Sequence, residues 1–395
     1  MERPPHLAEL LNCLQCGYCD PVCPTLSRVG WASRSPRGIL YGLKRVAFPT
    51  FLDRMSKKRL PAIDEKWVRR LYQCTGCGHC AAVCHVDIDL PTVWEDVRAW
   101  LVRNGQPLLP EHQAMAGAIA AHHNPYSASS LARAEWAPRT RFPQSAYTVF
   151  FVGCTSSYEL LNLARQTVKV LEKAKTDITL LGADEWCCGH PLLLTGQEEE
   201  FMRAARHNIE AVEKRGAGRL VTGCPGCYRA FKYSYPRLGL RPSFEVVHLS
   251  ELLAELLDQG RLRPAAGAGR AGPQNGRCIY HDPCLLGRLG GVYEAPRKVL
   301  ESLPGAGKVL EFDRNRAAAA CCGGGGALRA IDEAMCIDLA SEKVEEAAEL
   351  GASVIVSACP ACRINIGDAA LRARAGKKGH WPVARDLVEL VSRSL

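Results

Sequence analysis

Cysteine is the residue type whose number and spacing carry chemistry in this chain: there are twenty in 395 residues. Cys13, Cys16, Cys19 and Cys23, followed by Pro24, form a C-x2-C-x2-C-x3-C-P run, and Cys74, Cys77, Cys80 and Cys84 repeat the spacing without the proline. A cubane [4Fe–4S] cluster needs four thiolates at the corners of a cube. A tight loop with two-residue gaps supplies three of them, and in two-cluster ferredoxin folds the last cysteine of each run serves the other cluster. The spacing therefore predicts Cys13, Cys16, Cys19 and Cys84 on one cube and Cys74, Cys77, Cys80 and Cys23 on the other. Zinc is a poor competitor, because structural zinc sites use two ligand pairs separated by a longer gap. Gly17, Gly76 and Gly78 relax the loops where backbone N–H groups turn toward sulfur. His79 and His85 stand beside runs whose thiolates already fill both cubes, so they read as surface or supporting residues.

Ten further cysteines form two sets of one design: a single cysteine, an adjacent pair followed by glycine, and a C-P-x-C. The first set is Cys154, Cys187, Cys188, Cys224 and Cys227; the second is Cys284, Cys321, Cys322, Cys359 and Cys362. Their spacings agree: Cys154 to Cys187 is 33 positions and Cys188 to Cys224 is 36, against 37 and 37 in the second set. Five thiolates exceed what one cubane uses, and an adjacent pair spans two corners of a cube badly. An unusual cluster or a site with a spare thiolate is indicated, with redox-active disulfides as the competing reading. Gly189 and the run Gly323–Gly326 permit close backbone approach and helix starts beside such a site. His281 and Asp282, in YHDPC, and His190, in CCGHP, adjoin these cysteines. Each is either a structural hydrogen-bonding group or a source of protons for a substrate. Cys278 and Cys336 lie outside every motif and read as small buried apolar residues.

The elements that must position these groups separate by composition. Residues 1–100 hold eight cysteines among short amphipathic helical patterns, and 101–146 are a cysteine-free helical linker expected to isolate that first domain. From 147 to 260 apolar strands alternate with amphipathic helices, and two strands stop on a cysteine: YTVFFVGC and RLVTGC. That alternation is the signature of a parallel sheet covered by helices, whose sites gather at the carboxyl edge. After a Gly/Pro/Ala-rich linker at 261–276 the same order returns over 277–395, an internal duplication. The expected fold is α + α/β: an all-α ferredoxin-like domain with two clusters, then two duplicated α/β modules related by a pseudo-twofold axis.

Composition narrows the classes. A disulfide framework belongs to small secreted domains, and MERPPHLAELLN lacks the apolar core of an export signal. The longest apolar stretches fall short of the roughly 18–20 residues of a membrane span. The expected location is therefore cytoplasmic, or the inner face of a membrane through a partner. The formal charge of +9 is offset by clusters that each carry about −2 when oxidised. Much of the excess lies between Arg28 and Arg70, including Arg34, Arg37, Lys44, Arg45, Arg54, Lys57, Lys58 and Arg59. This stretch reads as a solvated basic face or a docking surface for an acidic partner or anionic membrane. It does not read as a nucleic-acid site, since aromatics are not interleaved.

The repeated Cys, CCG and CPxC pattern resembles that of CCG-domain (cysteine-rich domain) proteins. Two cubane runs ahead of two copies are similar to the D subunit of heterodisulfide reductase, in which the content of separate B and C subunits is fused. The iron–sulfur subunits of glycolate oxidase and anaerobic glycerol-3-phosphate dehydrogenase are related, but their copies are typically incomplete, whereas VTGCPGCYRAFKYSYP and VSACPACRINI are both intact here. The resemblance implies that each copy binds a noncubane [4Fe–4S] cluster through all five cysteines and that the two together open a disulfide. It implies a catalytic subunit of a hetero-oligomer, receiving electrons through two cubanes and reducing or forming a small-molecule disulfide. The alternative is a relay between a flavin-dependent dehydrogenase and a quinone or membrane cytochrome partner. No G-x-G-x-x-G follows a strand, so the flavin must belong to a partner: a flavoprotein or flavin-based bifurcating subunit, a membrane cytochrome b, or a quinone-linked subunit.

Overall fold

The computed structural model describes residues 3–51, 63–137, 142–264, 277–304, 309–376 and 379–395. Arg54, Lys57, Lys58 and Arg59 of the basic stretch lie outside the described residues. Of the others, Arg37 pairs with Asp20 at 2.6 Å and Arg28 with Glu342 at 2.6 Å, so part of that stretch is committed within the chain.

The N-terminal region is helical. Pro36–Ala47, Glu65–Tyr72 and Leu90–Arg103 each start on a side chain that accepts from the first turn: Ser35, Asp64 and Asp89. Such caps satisfy amide donors that the helix itself leaves open. Their apolar faces meet in a core that includes Leu43, Leu71, Val97 and Trp100.

Two four-stranded parallel sheets follow. The first has the order β2-β1-β3-β4, with β1 at Thr148–Phe151, β2 at Ile178–Thr179, β3 at Arg219–Thr222 and β4 at Glu245–His248. The second has the order β6-β5-β7-β8, with β5 at Arg277–His281, β6 at Leu310–Glu311, β7 at Ala352–Ser357 and β8 at Val383–Asp386. Every strand pair is parallel. The order is the same in both sheets, so the duplication in sequence is a duplication of topology. Phe151 is in register with Thr222, and His281 with Ser357, so in each sheet the two central strands end level. Their connections leave in opposite directions, which opens a crevice at the carboxyl ends of an α/β sheet. Cys154, Cys224, Cys284 and Cys359 emerge there.

The copies also pack reciprocally. The helix after β1 (Leu161–Lys173) lies on the last helix of the second copy (Leu387–Arg393), and the last helix of the first copy (Leu249–Asp258) lies on the helix after β5 (Glu294–Glu301). A hollow between the copies is lined by Gly223, His248 and Leu249 from one and Ala358, Asp386 and Leu387 from the other. These are corresponding positions at the ends of β3, β4, β7 and β8.

The linker does not isolate the N-terminal domain. Arg98, 1% exposed, donates to Leu194 O at 2.9 Å and Leu71 O at 2.8 Å, and Tyr72 donates to Thr195 O at 3.0 Å. Arg237 reaches back to Glu95 and Asp96 at 2.8 Å each. On the second module, Arg288 donates to Cys77 O at 2.9 Å and His112 Nε2 lies 3.1 Å from Ala327 O. Side chains are hydrogen-bonded to backbone carbonyls across both junctions, and a junction of this kind is not a tether. Among the described residues, no helix is long and apolar enough to cross a membrane.

Candidate iron–sulfur centres

The N-terminal cysteines fall into two groups in space. Cys13, Cys16, Cys19 and Cys84 line one hollow together with Tyr18 and Arg37. Cys16 is exposed, and Leu14 and Tyr18, which line the same hollow, are exposed apolar residues. Cys23 turns away to the other run. Burial pushes its thiol up to about 11, with Cys74 and Cys77 close enough to add to the effect. Cys80 is pushed well up by burial and by crowding from Cys77, Cys74 and Cys23. Burial and the Asp20 carboxylate push Cys19 up to about 12. Thiols packed this tightly resist ionising together unless a multivalent cation compensates them. His79 is buried and held down to about 4 by burial, while His85 is exposed and stacks edge-on with Tyr18 at 4.4 Å.

Each module holds its five cysteines in a chain of thiol contacts. In the first, Cys154 meets Cys187, Cys187 meets Cys188, Cys188 meets Cys227, and Cys227 meets Cys224. In the second the order is Cys284, Cys321, Cys322, Cys362 and Cys359, with Cys322 Sγ 3.2 Å from Cys362 Sγ. The electrostatics repeat as well. Donation from Cys187 and Cys227 pulls Cys188 down to about 6, and donation from Cys321 and Cys362 pulls Cys322 well down. Cys227 and Cys362 are driven well up by the contacts that favour their neighbours. All twenty cysteines are free thiols. Five converging thiols, in which some are helped to ionise only at the expense of their neighbours, are a donor set suited to a polynuclear metal centre and costly as a plain core. The residues thus fit iron–sulfur groups at all four places.

Histidine and aspartate divide differently. His190 is buried with neither ring nitrogen hydrogen-bonded, and it lines a cleft with Thr75, Gly76, Arg229, Leu285 and Leu289. That cleft lies between the two modules and the second cysteine run. Burial, then Arg229, holds His190 down to about 3. His281 is also buried and unpartnered, but it faces thiols: its ring nitrogen lies within 4.8 Å of Cys322 and Cys362. Burial, then Lys343, keeps it well below its usual range. Asp282 is fully paired. Arg297 donates to both its oxygens at 2.8 Å and the Arg316 amide adds a third bond at 2.8 Å. A carboxylate so fully engaged anchors the loop before Cys284, which favours its structural hydrogen-bonding reading over the proton source. Cys278 and Cys336 are buried and join the apolar core.

One contact escaped sequence reasoning. The Cys77 thiol hydrogen-bonds Cys321, so the second cysteine run and the second module share an edge. The Gly-rich run makes this possible. A Cβ on Gly325 would come 2.5 Å from Thr75 O, and one on Gly326 would come 2.6 Å from the Thr75 carbonyl carbon. The glycines let backbone meet backbone at this junction, a role that four consecutive glycines signal only as close approach to an unspecified neighbour.

Comparison with protein-family models matches a cysteine-rich domain twice, over residues 148–232 and 278–367, and a 4Fe-4S dicluster domain over 9–88. The chain is similar to the D subunit of the dihydromethanophenazine:CoB–CoM heterodisulfide reductase of Methanosarcina barkeri, at 35% identity covering 99% of this chain and 95% of that protein. It is also similar to the EtfAB:quinone oxidoreductase of Syntrophomonas wolfei, at 25% identity over 78% of this chain and 47% of that protein. Among solved structures, a hypothetical protein from Helicobacter pylori shares the fold with a TM-score of 0.52 at 10% identity, covering 83% of this chain and 64% of that one.

Proposed function

The chain belongs to the family of heterodisulfide reductase D subunits, CCG-domain iron–sulfur oxidoreductases, and from that premise we propose that it reduces or forms a small-molecule disulfide at two noncubane [4Fe–4S] centres fed by two cubanes. The cubane ligands are Cys13, Cys16, Cys19 and Cys84, and Cys74, Cys77, Cys80 and Cys23. The noncubane ligands are the five-cysteine set of each module. The domains run 1–100, 147–260 and 277–395, with linkers between them.

The observation that carries this reading is the second complete five-thiol chain, ordered like the first. Two intact copies suit a reaction that takes two electrons at one substrate better than a relay that passes them singly. Reciprocal helix packing, and a hollow walled by corresponding residues of both copies, support a pseudo-twofold axis between them. When bound, iron–sulfur centres supply electrons singly, and a disulfide takes two. The chain's own part is to hold the modules together, exclude water from the buried thiols, and place His190 in the cleft between the modules. Its free ring nitrogens can give a hydrogen bond to sulfur, and a thiolate arriving beside the ring would favour the imidazolium that protonates it.

Exposed Cys16, rimmed by Leu14 and Tyr18, suits docking of an electron-carrying partner. A flavoprotein, a flavin-based bifurcating subunit, or a membrane cytochrome b or quinone-linked subunit fits that role. The similarity to a quinone oxidoreductase favours the second reading, a relay with no substrate of its own. Anaerobic turnover with reduced viologen and a panel of disulfides separates the two. The proposal expects two thiols released for every two electrons consumed. Protein with full iron that reduces no disulfide, yet passes electrons to a quinone, establishes the relay.

A further inference from the structure

The two modules repeat strand order, cysteine spacing and thiol contacts, yet the charges behind their first cysteines differ. In the first module a guanidinium points at sulfur. Arg133, from the short helical turn Ser130–Ala134 in the linker, is 2% exposed and its Nη2 lies 3.4 Å from Cys154 Sγ. The same Nη2 donates to His123 O at 3.1 Å. Nη1 donates to Glu185 at 2.8 Å, and Glu185, 1% exposed, also accepts from the amides of Val152 and Gly153 at 2.9 Å each. The guanidinium is further fixed over the Tyr158 ring at 5.3 Å. Glu185 stands two residues before Cys187, and the residue two before Cys321 in the second module is Ala319.

The second module has cations nearby, but among the described residues none is hydrogen-bonded to its sulfurs as Arg133 is to Cys154. Arg297 is bound to Asp282 and Glu311. Arg288 donates to the carbonyls of Cys77, Ala317 and Ala319. Lys343, buried over the Phe312 ring at 4.1 Å, is close enough to Cys321 and Cys322 to act on them through its charge, but it points no hydrogen bond at either sulfur. Among the described residues none of the three donates to a thiol of that module.

Hydrogen bonds to ligand sulfur and local positive charge both favour the reduced, more negative state of an iron–sulfur group and so raise its reduction potential. We propose that Arg133, aimed at Cys154 and held by Glu185, is a tuning residue that raises the potential of the centre in the first module above that in the second. The duplicated sites are then electronically unequal, and the first module is the preferred resting place for an electron. This rests on the reading that both modules hold iron–sulfur groups, which iron content tests separately.

The test is an anaerobic redox titration of the iron-loaded protein followed by electron paramagnetic resonance, with the first-module signal assigned through Cys154→Ser. The wild type is expected to show two separable module potentials, the first module higher. Arg133→Gln lowers that potential by a tenfold change in the reduced-to-oxidised ratio or more, about 59 mV for one electron, and leaves the second module unmoved. Glu185→Gln, which frees the guanidinium charge, moves the same signal upward, and Arg133→Lys keeps most of the wild-type value. A merely structural role for the pair would not move the two neutralising variants in opposite directions. Coincident module potentials in the wild type overturn the proposal, as do shifts of one sign in both variants. If Arg133→Gln loses iron, Glu185→Gln decides alone, and an unchanged or lowered potential there refutes it. If both lose iron, the wild-type titration decides.

Discussion

Replacing Gly326 by alanine probes the junction that joins the N-terminal run to the second module. Gly326 has φ +71°, and the new Cβ would stand 2.6 Å from the Thr75 carbonyl carbon and 2.7 Å from Thr75 Cα. Left-handed backbone costs a residue with a side chain about 1–2 kcal/mol, and forcing a methyl into packed backbone adds about 1–3 kcal/mol. The sum is about 2–5 kcal/mol of native stability. Gly291 is the internal control: it has φ +74° with nothing within 4 Å of its Cβ position. Gly291→Ala should therefore cost only the conformational part, about 1–2 kcal/mol. Anaerobic guanidinium unfolding of both variants and the wild type, followed by the visible absorption of the clusters and by far-ultraviolet circular dichroism, measures the difference. Gly326→Ala is expected to be the worse by about 1–3 kcal/mol. Equal losses in the two variants would mean that the cysteine loop is not seated on the glycine run, and the docked arrangement would fall with it.

Anaerobic iron analysis should give about sixteen iron atoms per chain, four centres of four; a reproducible value near eight would leave the modules empty of four-iron groups. Cys16→Ala should remove one cubane signal and leave the module signals intact, because Cys16 is at the exposed edge. Cys77→Ala should remove the other cubane signal and disturb the second-module signal as well through the lost contact with Cys321; a second-module signal unchanged in Cys77→Ala would contradict this. Asp386 caps the last helix, and burial pushes its carboxyl up from 3.8 to about 8. Because the folded value lies above the unfolded one, its contribution is full below about 4 and is lost as pH rises through about 8. Asp386→Asn should flatten the decline of stability across that window, and an unchanged slope in unfolding curves would remove Asp386 as its source.

Sequence made the cysteine sets and the two sheets legible because both are local. Most ligands lie in short runs or just past an apolar strand, as β1, β3, β5 and β7 demonstrate before Cys154, Cys224, Cys284 and Cys359. The docking of the helical domain was not legible, since it depends on Arg98 reaching carbonyls 27 and 96 positions away. An arginine in an amphipathic helix looks alike whether it faces water or a buried junction. Asp282 beside Cys284 suggested proton chemistry by adjacency alone, and it is the position of Arg297 on the following helix that favours the structural reading. Arg133 sat in a cysteine-free stretch that read as a wrapping linker. Its one signal was a charged residue within an otherwise small and apolar run.

The central claim is that the two modules act together on one disulfide. It is tested most directly by the thiol yield of Cys188→Ala and Cys322→Ala, each reduced anaerobically in a stopped-flow instrument and then given the disulfide that the wild type turns over. The account predicts that the cubanes of both variants accept electrons as the wild type does and that neither variant releases thiol. Thiol release at the wild-type rate from either variant would contradict it, because one module would then suffice.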